Sequence, residues 1–201
     1  MRTMIRTIAF ASAVVFSGSI AFAQATPAAG ADPAKPILQF AQRFQNNLMA
    51  LAKAMPADKY SFAPSGDVFK AGSPAKFDGV RTFAQQLTHV AAYTFQSFAP
   101  YGIKPDTSVD LNSMNSLSSK DDVLKALQAS FDYQNKAIAS LTAENAFTPQ
   151  GPRGNSLMST IVAVLNDDGD HYGQLVEYGR MNGIVPPASE RPATPPAAQP
   201  K

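Results

Sequence analysis

The sequence predicts an all-α protein, a single four-helix bundle. Four segments place apolar residues three or four positions apart, the spacing of one helix face. No segment shows the sustained alternation of apolar and polar residues that is typical of a half-buried strand. Amphipathic helices of similar length bury their apolar faces by packing around a common core, which favours a bundle.

The first two helices are predicted over residues 36–54 and 79–98. Pro36 suits the first turn of a helix, where its missing N–H is not needed, and Asp78 is the expected cap of the second helix. Their apolar faces consist of Ile37, Phe40, Ala41, Phe44, Leu48 and Leu51, and of Val80, Phe83, Leu87, Ala91 and Phe98.

The third and fourth helices are predicted over residues 120–141 and 156–182. Ser119 followed by Asp122 resembles a capping box, with Asp in place of the usual Glu. Gly183 and the prolines after it predict the end of the fourth helix. Core candidates are Val123, Leu124, Leu127, Phe131, Ile138 and Leu141, and Leu157, Ile161, Leu165, Leu175 and Val176.

The joins over residues 55–78 and 99–119 are longer than an antiparallel hairpin requires. We therefore expect at least one of them to cross over or to cover an end of the bundle. Within residues 55–64, Tyr60 and Phe62 are expected to anchor in the core, with a substrate lid as the alternative.

The two ends are predicted to lie outside the bundle, which spans residues 36–185. Residues 1–23 have the features of a secretory signal peptide: Arg2 and Arg6, an apolar run, and a small-residue cleavage site at Ala21-Phe22-Ala23. An N-terminal membrane anchor is the alternative. We expect an exported protein, periplasmic or extracellular, with a flexible lead-in over 24–35 and a proline-rich disordered tail over 186–201.

Composition excludes several classes of function. The chain has no cysteine, which excludes thiol nucleophiles and Cys-ligated metals. Loss of Arg2 and Arg6 lowers the seventeen basic residues to fifteen, equal to the fifteen acidic ones. Without a basic block, we expect neither nucleic-acid binding nor attachment to an anionic membrane.

The chain has only two histidines, His89 and His171. Asp167 precedes His171 by four residues, so both lie on one face of the fourth helix. If His89 turns toward them from the second helix, the three side chains form a metal site with open coordination positions. The alternatives are an exposed histidine at His89 and an ion pair between Asp167 and His171 on a solvated face.

Four motifs resemble the DinB-like family. They are AMPADKYSFAP at residues 54–64, VRTF leading to LTHVA over 80–91, HYGQLVEY at 171–178 and NGIVPPAS at 182–189. The resemblance implies an up-down-down-up bundle and a divalent metal, often nickel or zinc, held by three histidines. Two of these positions match His89 and His171, and the third falls on Asp167, a departure from the pattern.

The resemblance also implies a class of function. We expect a metal-dependent enzyme of the hydrolase or thiol-transferase type that acts on a small-molecule substrate; a non-catalytic helical binding module with a degenerate metal site is the alternative. A homodimer is left open. Gly169, inside the fourth helix, hints at local loosening that favours the alternative, since glycine costs about 1 kcal/mol relative to alanine in a helix.

Four further polar residues surround the predicted site on the fourth helix. Asp168 and Asp170 are expected to face solvent, with orientation of an imidazole as the alternative. Gln174 and Tyr178 continue the face of His171 by one and two turns. They are candidates for substrate contact or for packing between helices.

Overall fold

The computed structural model describes residues 32–68, 71–151 and 153–190 and contains four long helices. These are α1 (Ala34–Ala54), α2 (Phe83–Phe98), α3 (Lys120–Ala139) and α4 (Leu157–Met181). The described residues contain no strand, only an isolated bridge between Pro149 and Ser156, so the all-α prediction is confirmed. The predicted signal peptide, most of the lead-in and residues 191–201 lie outside the described part of the chain.

Two pairs of neighbouring helices are antiparallel. The Nζ of Lys120, at the start of α3, donates to the carbonyl of Met55, which follows the end of α1, over 2.7 Å. In the same way Gln86, near the start of α2, donates to Gln174 in the last part of α4 over 2.8 Å. Hence α1 is antiparallel to α3, and α2 is antiparallel to α4.

The remaining directions follow from a contact between α1 and α4. Leu51 packs against Gly179, close to the C-terminal ends of both helices. Thus α1 and α4 run one way and α2 and α3 run the other way, which is the up-down-down-up order that the family resemblance implied.

This order explains the long join between α2 and α3. Because these helices are parallel, the chain must return along the length of the bundle before α3 begins. Near the beginning of this join, the carbonyl of Ile103 accepts from the hydroxyl of Tyr133 in α3 over 2.6 Å. Near its end, Asn115 lines a cavity together with Gln85, which lies near the start of α2. Residues 99–119 are therefore the expected crossover.

Local capping differs from the prediction at one helix. The start of α2 is Phe83, capped by Thr82, whose hydroxyl accepts from the N–H of Gln85 while the Gln85 side chain accepts from the N–H of Thr82. The predicted start at Gly79 with Asp78 as cap is wrong, because this reciprocal pair forms four residues later. Ser119 caps α3 as expected, accepting from the N–H of Asp122.

The segment after α1 is anchored in the core. Tyr60 is buried, and its hydroxyl donates to the carbonyl of Ala52 over 2.8 Å. The N–H groups of Phe83 and Ala84 donate to the carbonyls of Phe62 and Tyr60. The segment thus fastens the first turn of α2 to the end of α1, in agreement with the anchoring interpretation.

The core runs the length of the bundle as two adjoining clusters of buried side chains. The largest fully buried members are Tyr60, Phe83, Phe98, Leu48, Leu51, Met55, Leu87, Met114, Leu127, Ile138, Ile161 and Leu175. Phe40, a predicted core residue, is half exposed instead. Beyond α4 the described chain continues to Glu190 through a short 3₁₀ turn at Pro187–Ser189. None of the described helices is both long and apolar enough for a membrane span.

Candidate metal centre

The fold brings His89, Asp167 and His171 together in the groove between α2 and α4. One ligand atom from each lies within 4.8 Å of the others. The Oδ1 atom of Asp167 is 3.5 Å from Nε2 of His171 and 3.8 Å from Nε2 of His89. The two imidazole rings meet edge to face, with centroids 4.8 Å apart.

None of these separations is a hydrogen bond, which requires about 2.7–3.2 Å between an imidazole nitrogen and an oxygen. Around a tetrahedral ion with bonds of about 2.0–2.2 Å, neighbouring ligand atoms lie roughly 3.3–3.6 Å apart. The pair formed by Asp167 and His171 already meets this spacing. Nε2 of His89 lies 3.8 Å from Oδ1 of Asp167, a little beyond this spacing, and its side chain is 31% exposed.

The surroundings of Asp167 also fit a bound metal ion. Its Oδ2 atom is buried and has no hydrogen-bond partner among the described residues. A buried carboxylate oxygen without a partner is costly, and a divalent cation offsets that cost by direct charge compensation. Two imidazole nitrogens and one carboxylate are also a donor set that zinc and nickel accept.

The surroundings of His89 favour its neutral form, the form that can bind a metal. Burial lowers the pKa of His89 below its ordinary value of 6.5, and the charge of Arg81 lowers it further. The carboxylate of Asp167 acts in the opposite direction, and His171 adds to the lowering.

His171 is buried, and a chain of hydrogen bonds determines which of its ring nitrogens is protonated. The Asp170 carboxylate can only accept, so Gln174 donates its Nε2–H to it over 2.8 Å. The Oε1 of Gln174 then accepts from Nε2 of Gln86 over 2.8 Å, which turns Oε1 of Gln86 toward Nδ1 of His171 at 2.6 Å.

The consequence is a defined tautomer. Nδ1 of His171 carries the proton and donates it to Gln86, so the lone pair on Nε2 faces Asp167. Metal-binding histidines usually have their second nitrogen fixed in this way. Because Gln86 is only 3% exposed, water does not compete effectively for the bond.

Gln86 was not among the residues predicted for the site. It precedes His89 by three residues and so shares its side of α2, but a glutamine at that spacing is ordinarily read as a surface residue. Tyr178 is a packing residue: its hydroxyl donates to the carbonyl of Arg81 over 2.9 Å, and its ring meets Phe62 edge to face. Gln174 is exposed and is hydrogen bonded to Gln86 and Asp170, so its contact with a substrate stays a prediction.

Asp168 is fully buried, so the expectation that it faces solvent is wrong. It lies about 100° around α4 from Asp167 and points toward α3, where its Oδ2 accepts from Gln134 over 2.7 Å. Gln134 in turn accepts from Gln45 of α1 over 2.6 Å. Burial raises the pKa of Asp168 to about 7, although the hydrogen bond from Gln134 opposes the shift. Asp170 is exposed, as expected.

The glycine at position 169 is explained by the packing of α4 against α1. A Cβ atom at this position would lie 3.1 Å from Cε1 of Phe44 on α1. The helix is continuous through Gly169, so the loosening that the sequence hinted at is not seen in the backbone.

Small molecules can reach the site from outside the bundle. A polar cavity of about 400 Å³ borders His89 and is lined by Gly79, Arg81, Gln85, Thr88, His89 and Asn115. Another cavity, of about 710 Å³, is apolar and lies between α1 and α4. Leu165 and Gly169, which line it, lie on the side of α4 opposite Asp167, and none of the three candidate ligands lines this cavity.

The chain matches a known protein family. Residues 41–175 match the profile of the DinB superfamily, and the match takes in His89, Asp167 and His171. A search of curated proteins finds no match.

Proposed function

The chain belongs to the DinB superfamily, and we propose that it binds one divalent metal ion through His89, Asp167 and His171 and acts as a metal-dependent enzyme on a small molecule. Nickel or zinc is the expected ion, and hydrolysis or thiol transfer is the expected type of reaction. The cluster of ligand atoms within 4.8 Å, none of them hydrogen bonded to another, carries the proposal.

Each residue has a distinct part in this proposal. Asp167 supplies negative charge between the two imidazoles, and its unpartnered Oδ2 supplies a second oxygen for the ion. His171 is oriented by Gln86, with its Nε2 lone pair directed toward Asp167. His89 is the most exposed of the three side chains, at 31%, and the one that lines the polar cavity of about 400 Å³.

Three protein ligands suit catalysis better than a structural role. Structural zinc sites are normally closed by four protein ligands, whereas catalytic sites keep a position for water or substrate. A bound divalent ion supplies Lewis acidity and a water of lowered pKa. The buried Asp168 points toward Gln134 on α3 and is not placed to act as a base on a molecule in the groove.

The alternative is a non-catalytic binding module with a degenerate site. The replacement of a family histidine by Asp167 and the absence of an evident general base among the described residues favour it. In that case Asp167 forms only ion pairs with the two histidines when they are protonated. The two proposals differ in metal affinity and in chelator-sensitive activity.

Isothermal titration with nickel and with zinc tests the metal site. Wild type should bind one ion per chain, and His171→Ala and Asp167→Ala should lose most of the affinity. Asp132→Ala, which removes an exposed carboxylate on α3, should bind as wild type does. Binding should weaken as the pH falls below about 6, because protonated imidazole cannot bind a metal. Equal affinity in wild type and His171→Ala would refute the site.

Activity then separates the two functions. Metal-loaded protein should hydrolyse generic esters or conjugate thiols, and a chelator should abolish the turnover. A protein that binds metal but shows no chelator-sensitive turnover supports the binding module. We also propose that the protein is exported, which mass spectrometry tests by locating the mature N-terminus near Gln24.

A further inference from the structure

A second polar cavity adjoins the metal centre along the groove between α2 and α4. It has a volume of about 550 Å³ and is lined by Tyr93, Gln96, Ser97, Pro100, Arg153, Asn155, Ser159, Thr160 and Ala163. On α4, Ala163 and Thr160 precede Asp167 by one and two turns. On α2, Tyr93 and Gln96 follow His89 by one and two turns. Because these helices are antiparallel, both displacements point the same way, so the cavity continues the groove of the metal ligands.

Tyr93 joins the two regions. Its ring stacks on His89 with centroids 6.2 Å apart and planes 20° from parallel, and the same residue lines the cavity. A molecule that lies in the cavity and passes Tyr93 therefore arrives at His89. The axial distance from Thr160 to Asp167 is roughly 10 Å, by the rise of an α-helix.

The lining of this cavity is cationic and rich in donors. Among the residues that line it, Arg153 is the one that carries a charge. Among the described residues Arg153 forms no ion pair, and Gln96 and Ser97 form no side-chain hydrogen bond. Two other hydroxyl groups of the lining already have hydrogen-bond partners. Thr160 is hydrogen bonded to the Tyr101 hydroxyl at 2.6 Å, and Ser159 donates to the carbonyl of Ser156.

We propose that this cavity binds an oxyanion, a carboxylate or phosphate group, at one end of a small molecule whose other end reaches the metal centre. The planar guanidinium of Arg153 offers paired donors that match such a group, and the free amide and hydroxyl groups of Gln96 and Ser97 complete its hydrogen bonds. As a statement about substrate, the inference rests on the proposed metal-dependent function; the anion site itself does not require the metal.

The anion site is tested first on metal-free protein. Inorganic phosphate and adipate are titrated separately into ¹⁵N-labelled wild type, Arg153→Met and Arg43→Met, the last removing an exposed arginine on α1. Signals of Arg153 Nε–H and of the Gln96 side-chain amide should shift in wild type and Arg43→Met. Binding should weaken about tenfold or more in Arg153→Met, as expected for loss of a charged hydrogen-bond partner. Equal binding by Arg153→Met and wild type would overturn the site.

The link to the metal is tested on cobalt-loaded protein, using the visible spectrum of the ion as the readout. Succinate, adipate and suberate carry two carboxylates at increasing separation, and butyrate carries one. A longer dicarboxylate should bind at least tenfold more tightly than butyrate in wild type, and Arg153→Met should abolish that preference while leaving cobalt affinity unchanged. If adipate binds through Arg153 but no dicarboxylate changes the cobalt spectrum, the anion site stands and its role in orienting a metal-bound substrate is overturned.

The two tests also separate this inference from the proposed function. If the protein binds no divalent metal but shows Arg153-dependent shifts with phosphate, the metal-dependent function fails and the anion site survives. If cobalt binds and His171→Ala removes it, but phosphate and adipate bind equally with and without Arg153, the anion site fails and the metal site survives.

Discussion

Replacement of Gln86 by leucine should weaken metal binding without touching a ligand. Gln86 accepts from Nδ1 of His171 over 2.6 Å and is 3% exposed. Leucine has a similar size but no acceptor, so the buried Nδ1–H loses its partner. The imidazole is then free to rotate or to change tautomer, and either change takes the Nε2 lone pair away from Asp167.

The size of the effect follows from the geometry. Loss of a residue that orients a metal-binding histidine typically lowers affinity by about 10- to 100-fold, or roughly 1.4–2.7 kcal/mol. The 3.5 Å contact between Gln86 and the Tyr178 hydroxyl is too long to add much. Gln174 keeps its bond to Asp170, so most of the loss falls on His171.

Competition with a chromophoric chelator measures the affinity of each variant for nickel and zinc. Gln86→Glu is the informative companion, because its carboxylate still accepts from Nδ1–H and should retain most of the affinity. Gln128→Leu, on an exposed part of α3, is the matched control for a glutamine-to-leucine change and should bind as wild type does. The ¹⁵N chemical shifts of the His171 ring should report the loss of a single tautomer in Gln86→Leu alone.

Two outcomes contradict this reasoning. In the first, Gln86→Leu is folded and binds both metals as tightly as wild type, so the hydrogen bond does not orient a ligand. In the second, Gln86→Glu loses as much affinity as Gln86→Leu, and the effect then comes from packing rather than from the acceptor.

Two further predictions concern stability. The pKa of Asp168 is raised from 3.8 to about 7. Between these two pH values its carboxyl group is protonated in the folded chain and ionised in the unfolded chain. The free energy of unfolding therefore falls as the pH rises through this range. With a chelator present, the free energy of unfolding of Asp168→Asn should therefore exceed that of wild type by up to roughly 4 kcal/mol at about pH 8.5. Near pH 4 the two proteins should be similarly stable. Denaturant unfolding at both pH values measures the difference, and a difference that does not change with pH refutes the prediction. Gly173→Ala, with nothing near its Cβ, should stabilise α4 by about 1 kcal/mol. Gly169→Ala should raise the stability by less than Gly173→Ala does, because the ring of Phe44 must move. A rise in Tm equal to or larger than that of Gly173→Ala contradicts the contact with Phe44.

Periodicity predicted the parts of this molecule that depend on one helix at a time. It located all four helices, most of the core, and the i, i+4 pair of Asp167 and His171. It placed the start of α2 too early because Asp78 is a plausible cap in isolation, whereas the Thr82 and Gln85 pair is stronger as a reciprocal cap.

The buried polar residues could not be predicted in the same way. Gln86 and Asp168 each break the rule that polar residues face solvent, and each is buried with a hydrogen-bond partner on another helix, although Oδ1 of Asp168 has no partner among the described residues. Those partners lie 88 and 34 positions away. Without the helix order, no pattern within one helix distinguishes such a residue from a surface one.

The buried network on the far side of α4 bears on the metal centre itself. Asp167 and Asp168 are consecutive and point about 100° apart, one into the groove with α2 and the other toward Gln134 on α3. Any rotation of α4 that moved Asp167 away from His89 would also break the 2.7 Å bond between Gln134 and Asp168 and leave two buried groups without partners, which is costly. Gln45 on α1 donates to Gln134, so the same hydrogen-bonded network also restrains α4 relative to α1. The rotation of α4, and with it the direction of Asp167, is thus held from both sides of the helix, so the carboxylate is in place between His89 and His171 before an ion binds.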